Sequence, residues 1–146
     1  MFERGKTRPA VRLGGIIALF SGFHLGARVY YGPVQRTVFE RIIAREIPSE
    51  IIYEDDRVAA FRDVHPQAPT HILIVPKKPV ARMAEAGPED ESLLGHLLLK
   101  AAQVAAQAGL SNGYRLVINN GQDGGESVPH LHCHILGGRP MSWPPG

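Results

Sequence analysis

From Val128 the chain reads VPHLHCHILGGRP, which sets His130, His132 and His134 at alternate positions. Strand side chains alternate faces, so these three imidazoles share one surface with Leu136, while Leu131, Cys133 and Ile135 take the other. Such a row has three readings. It is a solvated or hydrogen-bonded face without a task; it is a zinc site built from His130, His132 and His134 or with a further ligand such as His71 or Asp63; or it is a nucleophilic surface. With a reference pKa of about 6.5, imidazole is largely neutral at physiological pH and attacks electrophilic phosphorus, while a neighbouring imidazole orients it or moves protons. The preceding segment NNGQDGGESVP favours the third. Glycines there let the backbone approach an anion, backbone N–H groups can cradle it, and Ser127 stands just before the histidines. Cys133 is most simply a small core residue.

The elements that must position these residues follow from pattern. Thr37 and Glu40 have capping-box spacing, and FERIIARE puts Phe39, Ile42 and Ile43 on one face of a short helix that Pro48 stops. IIYED from Ile51 and RVAAFRD from Arg57 are close enough for a hairpin, and HPQAP is a breaker-rich loop. THILIVP from Thr70 is a buried strand, with Ile72 and Ile74 facing one way and His71, Leu73 and Val75 the other. Pro88 opens a long amphipathic helix whose stripe is Leu94, Leu97, Leu98, Ala101, Val104, Ala105 and Ala108, and Gly109 ends it. YRLVIN from Tyr114 is another strand. Strands joined mostly by short turns, with two helices, imply an α+β domain on an antiparallel sheet.

One chain of 146 residues suits a single core, and 44% hydrophobic with 21% charged residues is ordinary globular composition. The single cysteine excludes an internal disulfide and agrees with a reducing compartment. The net charge of +2 is unevenly spread. Residues 1–36 hold six basic residues against Glu3, whereas the remaining ten basic and thirteen acidic residues make the body −3, with no general signature of nucleic-acid binding. Within residues 1–36, the apolar run LGGIIALFSGF is too short to span a bilayer. The segment reads as a targeting peptide, organellar or secretory, or as a disordered tail or an early start; the expected location is cytoplasmic, or mitochondrial if it is a transit peptide.

HLHCHIL resembles the signature of the histidine triad (HIT) family. DVHPQAPTHILIVPKKP, DESLLGHLLL, GYRLVINNG and GGRPMSWPPG resemble its nucleotide-binding (Hint) branch. The similarity covers residues 37–146, so that residues 1–36 form an N-terminal extension. It implies a HIT fold: a five-stranded antiparallel sheet with two helices, paired as a homodimer with a continuous ten-stranded sheet. The implied activity is hydrolysis of purine nucleoside phosphoramidates (AMP or GMP joined to an amine), with acyl adenylates as related substrates. Neither cofactor nor metal, nor a nucleic-acid or membrane partner, is implied.

Carried over by motif, His132 is the nucleophile that forms a nucleotidyl-histidine intermediate, and His134 binds the phosphate. His130 orients the triad, His71 relays protons, and Ser127 sits near the leaving group. Asn119 and the backbone around Gly125 hold phosphate oxygens, while Asp63 accepts from the ribose hydroxyls. Phe39, Ile42, Ile47, Phe61 and Val64 line an apolar base pocket, and Trp143 packs near the dimer interface or a neighbouring site. Two residues depart from the branch pattern. Pro129 precedes the first histidine where an aromatic is common, which is tolerable at a strand's first residue. Glu126 replaces a common glutamine in the phosphate loop, so its side chain is expected to point outward and only its N–H to serve the site. His24, His65 and His96 are assigned nothing. The rivals to this enzyme are a dinucleoside polyphosphate hydrolase, a nucleotide-binding scaffold or regulatory protein with incidental hydrolysis, and a zinc hydrolase.

Overall fold

A computed structural model describes residues 35–145; the expectations for residues 1–34 lie outside them. Thr37 caps the first helix, α1 (Val38–Ile43), through the expected reciprocal box. Glu40 N–H donates to Thr37 Oγ1 at 3.2 Å, and Thr37 N–H donates to Glu40 Oε2 at 2.7 Å. The helix ends before Pro48, because Arg45 turns the chain at φ 62°.

The strands are β1 (Ile51–Glu54), β2 (Val58–Arg62), β3 (Thr70–Pro76), β4 (Tyr114–Val117) and β5 (Cys133–Gly137). They form one antiparallel five-stranded sheet in the order β1-β2-β3-β5-β4. Asp55 closes the β1–β2 hairpin by accepting the N–H groups of Arg57 and Val58, each at 2.8 Å.

A second helix, α2 (Glu91–Gln107), covers one face of the sheet and follows a single 3₁₀ turn over Pro88–Asp90. Gly109 adopts φ 79° just past its end, where a residue with a Cβ would be strained. The expected stripe holds except at its edge, with Leu93 added and Leu98 lost. Leu93, Leu97, Ala101, Val104 and Ala105 are buried against Val58, Ile72, Ile74, Cys133 and Ile135, while Leu98 faces outward. The spacing 93, 97, 101, 104 is what packs across strands; Leu94 is only half buried.

The opposite face carries a smaller cluster of Phe39, Ile42, Ala59, Phe61, Leu73 and Val75, where α1 lies. The alternation read for β3 therefore holds, with Ile72 and Ile74 under α2 and Leu73 and Val75 under α1. The histidine strand is shorter than expected. β5 starts at Cys133, so His130 and His132 precede the ladder. Pro129 is thus outside the strand. In place of ladder bonds, His130 N–H donates to Val128 O at 2.8 Å and Leu131 N–H to Val80 O at 2.7 Å. Among the described residues, no helix is long and apolar enough to cross a membrane.

Candidate active site

The three histidines gather on the α1 face. His130 and His132 are 1% and 4% exposed, and Phe39 meets both rings edge-on, with centroids 5.8 and 5.0 Å away. The rings of His132 and His134 lie 4.9 Å apart. His71, brought from β3 by its register opposite Leu136, stacks at 5.1 Å from His134.

The hydrogen-bond partners fix which nitrogen of each ring carries the proton. A carbonyl oxygen only accepts, so a ring nitrogen facing one must donate; a backbone N–H only donates, so the nitrogen it meets must accept. His130 Nε2–H donates to Pro76 O at 2.8 Å, which leaves Nδ1 to accept the Thr37 hydroxyl at 2.9 Å. His132 Nδ1–H donates to His130 O at 2.8 Å, so the lone pair of a neutral His132 is on Nε2. Gln67 N–H donates to His71 Nδ1 at 3.1 Å. His71 Nε2–H therefore donates to His134 Nδ1 at 2.8 Å, with Asp63 Oδ2 a further 3.4 Å contact. The remaining proton of neutral His134 is on Nε2. That atom is the one buried side-chain nitrogen or oxygen without a hydrogen-bond partner among the described residues. A buried donor with no acceptor is unfavourable until a ligand oxygen arrives.

Burial disfavours the charged form of His134, His71 and His130. It pushes His134 down to about 4, helped by the neighbouring His132 and His71. It also lowers His71 against the opposing pull of Asp63, and His130 against its bond to Pro76 O. The Cys133 thiol is raised to about 11 by burial, which agrees with its reading as a core residue.

Asp63, His71 and His134 place ligand atoms within 4.8 Å of one another, close enough to consider a metal. The proton pattern opposes it. A metal on His71 Nε2 needs the proton on Nδ1, and that atom already faces the N–H of Gln67.

Of the expected pocket residues, Phe39, Ile42 and Phe61 are buried together, with Ile47 packed against them. Val64 stands apart at 77% exposed. Asp63 adjoins the His71–His134 pair, and its Oδ1 accepts His65 N–H at 2.8 Å. The glycine-rich loop is folded on itself: Asn119 Nδ2 donates to Gly125 O at 3.4 Å, Gly125 N–H to Gln122 O at 3.0 Å, and Glu126 N–H to Gly121 O at 3.1 Å. Ser127 is exposed.

The expectation for Glu126 is corrected on both counts. Its N–H is used inside the loop, and its side chain, only 8% exposed, turns back rather than outward. It accepts from Arg82 Nε at 2.9 Å, Arg82 Nη2 at 2.8 Å and Gly121 N–H at 2.8 Å, and these bonds hold its pKa down at about 2. A carboxylate repels phosphate only while uncompensated, and Arg82 compensates this one.

Sequence reasoning also passed over Thr37 as a partner of the triad, and His96, which bonds Asp55 Oδ2 at 2.8 Å. The cap motif signalled the Thr37 hydroxyl's position, but nothing local signalled its second partner.

Known proteins resemble this chain in sequence and in fold. A family model for the HIT domain matches residues 44–141. A HIT-like protein of Synechocystis is 62% identical over 110 residues, covering 75% of this chain and 96% of its own. A 14 kDa zinc-binding protein of Zea mays is 54% identical over 112 residues, covering 75% of this chain and 88% of its own. Among solved structures, a HIT family hydrolase from Legionella pneumophila superposes with a TM-score of 0.74 at 46% identity, covering 76% of this chain and 100% of that one.

Proposed function

The chain belongs to the HIT domain family, and from that premise we propose that it is a purine nucleoside phosphoramidate hydrolase of the nucleotide-binding branch, working without a metal through a nucleotidyl-histidine intermediate. The observation that carries this reading is the proton arrangement: a lone pair on His132 Nε2 beside an unpartnered N–H on His134 Nε2. One is a nucleophile, and the other is a donor for an anionic oxygen.

His132 Nε2 attacks the α-phosphorus, and the P–N bond to the amine breaks. The bond's electron pair leaves with the amine, which takes up a proton. The imidazole ring gains positive charge in this step. The bond from His132 Nδ1–H to His130 O strengthens as that charge develops, which is the differential stabilisation that lowers a barrier. His134 Nε2–H donates to a phosphoryl oxygen. Water then attacks phosphorus, returning the electron pair to His132 Nε2 and releasing the nucleotide. His71 and Asp63 hold His134 in the tautomer this needs.

The purine lies on the apolar cluster of Phe39, Ile42, Ile47 and Phe61, with Asp63 within reach of the ribose. The protein works as a homodimer joined through the β4 edge. Among the described residues that strand has one side unpaired, and Leu98 and Leu99 are exposed on α2. Mixing the protein with adenosine 5′-phosphoramidate and quenching under conditions that preserve P–N bonds tests the mechanism. A nucleotidyl adduct on His132, absent from His132→Ala, is expected. Turnover by His132→Ala at the wild-type rate refutes it.

A further inference from the structure

The loop from Asn119 to Ser127 contains two acids, Asp123 and Glu126, and no basic residue. The N–H groups of Gly121, Gly125 and Glu126 are already engaged within the loop, and a phosphate held between the loop and the triad is repelled by an uncompensated carboxylate beside it. We propose that Arg82 is a positioning residue for this loop, acting as the external cation that neutralises Glu126 and allows the loop to accept a phosphate. The inference rests on reading that loop as a phosphate site.

The geometry is that of a strap. Val80 O accepts Leu131 N–H at 2.7 Å, between the first two histidines of the row. Two residues later the Arg82 guanidinium engages Glu126 in a forked contact, Nε to both carboxylate oxygens at 2.9 and 3.1 Å and Nη2 to Oε1 at 2.8 Å. Ala84 N–H then donates to Asn120 Oδ1 at 2.8 Å. Residues 80–84 thus grip the triad segment first and then the loop near each of its ends. The remaining nitrogen pairs with Glu85, so all three guanidinium nitrogens are directed at carboxylates of the chain itself. A planar, bidentate guanidinium suits this task better than an ammonium.

Two roles are separable. If Arg82 is only a mechanical tie, removing either partner loosens the loop and removing both is at least as harmful. If Arg82 compensates charge, its loss leaves a repulsive carboxylate, and deleting that carboxylate as well recovers binding.

The test measures AMP binding by calorimetry on the full chain, for wild type, Arg82→Gln, Glu126→Gln and the double variant. Unfolding midpoints recorded alongside report the mechanical contribution. Arg82→Gln is expected to weaken AMP by about tenfold, because it strands a buried charge. The deficit should shrink in high salt, and Arg82→Lys should recover part of it. The double variant should bind AMP more tightly than Arg82→Gln although it is no more stable. A double variant as weak as Arg82→Gln overturns the proposal. Phosphoramidate turnover by wild type, measured separately, keeps the two readings apart. Turnover without recovery in the double variant defeats the strap alone. AMP recovery without wild-type turnover upholds the strap and defeats the hydrolase. A wild-type chain that does not bind AMP overturns both.

Discussion

Thr37 offers a sharp perturbation, because one hydroxyl does two separable jobs. It accepts Glu40 N–H as the α1 cap and donates its proton to His130 Nδ1. Thr37→Val keeps the shape and removes both bonds. Loss of the cap is worth about 1 kcal/mol, and a buried acceptor left without a donor adds about 1–3 kcal/mol, so the variant should lose about 2–4 kcal/mol in urea unfolding. Thr37→Asp separates the jobs. A carboxylate caps the helix as well as threonine, but it cannot donate a proton. Nδ1 of His130 must then carry one, and since Nε2–H is held by Pro76 O, the ring becomes an imidazolium paired with Asp. The Asp variant should therefore be more stable than the Val variant yet hydrolyse the phosphoramidate more slowly at neutral pH, because a positive charge now sits beside His132. Imidazole nitrogen NMR is the deciding assay. His130 should titrate well above its wild-type value in Thr37→Asp, against the burial that lowers it in the native chain. An unchanged His130 titration, or a Val variant within about 0.5 kcal/mol of wild type, would refute the reasoning.

Three further outcomes follow from the packing and the charges. His134, held down to about 4 against an unfolded value of about 6.5, binds fewer protons folded than unfolded between those values, so stability should fall as pH drops through that window. His71 and His130 act in the same direction, and below it the carboxylate of Glu126, lowered to about 2, adds its own loss; urea midpoints between pH 7 and 4 check this, and a flat profile contradicts it. Leu97→Ala should cost about 2–5 kcal/mol because Leu97 is fully buried under the sheet, whereas Leu99→Ala, at a site 74% exposed, should leave monomer stability within about 0.5 kcal/mol and show its effect in sedimentation as a weaker dimer. Prolonged chelation should leave turnover intact; activity lost to a chelator and restored by zinc means that the His71 tautomer has been misassigned.

The outline of the fold was legible where a local rule is strong. The capping box at Thr37 and Glu40, the alternating faces of β3 and the stop at Gly109 depend on residues a few positions apart, and each stands where its pattern puts it. The α2 stripe was right except that it took Leu98 and missed Leu93, because leucine follows leucine at 93–94 and at 97–99 and only the strands beneath decide which of them is covered. The histidine row was legible as a face, but its strand starts only at Cys133, since nothing local reveals that Val128 O and Val80 O replace the ladder before it. Glu126 was misread for the same reason: its partner lies 44 residues away. An acid in an anion site signals that a cation is needed, but the sequence does not say which one. Asp55 was read as the end of a strand, whereas it closes the hairpin turn and bonds His96, 41 positions away.

Three imidazoles take their tautomer from the main chain: His71 from Gln67 N–H, His130 from Pro76 O, and His132 from His130 O. Main-chain groups survive most substitutions, so the residues that supply them can drift in identity without erasing the pattern. What the pattern cannot survive is a change of chain path. A single-residue deletion between Asp63 and His71, or a proline at Gln67 that abolishes its N–H, would rewrite the protonation of a site whose histidines were all still in place. Vulnerability here belongs to spacing more than to composition, and a chain that kept every triad histidine could still be inert through one lost residue in a loop.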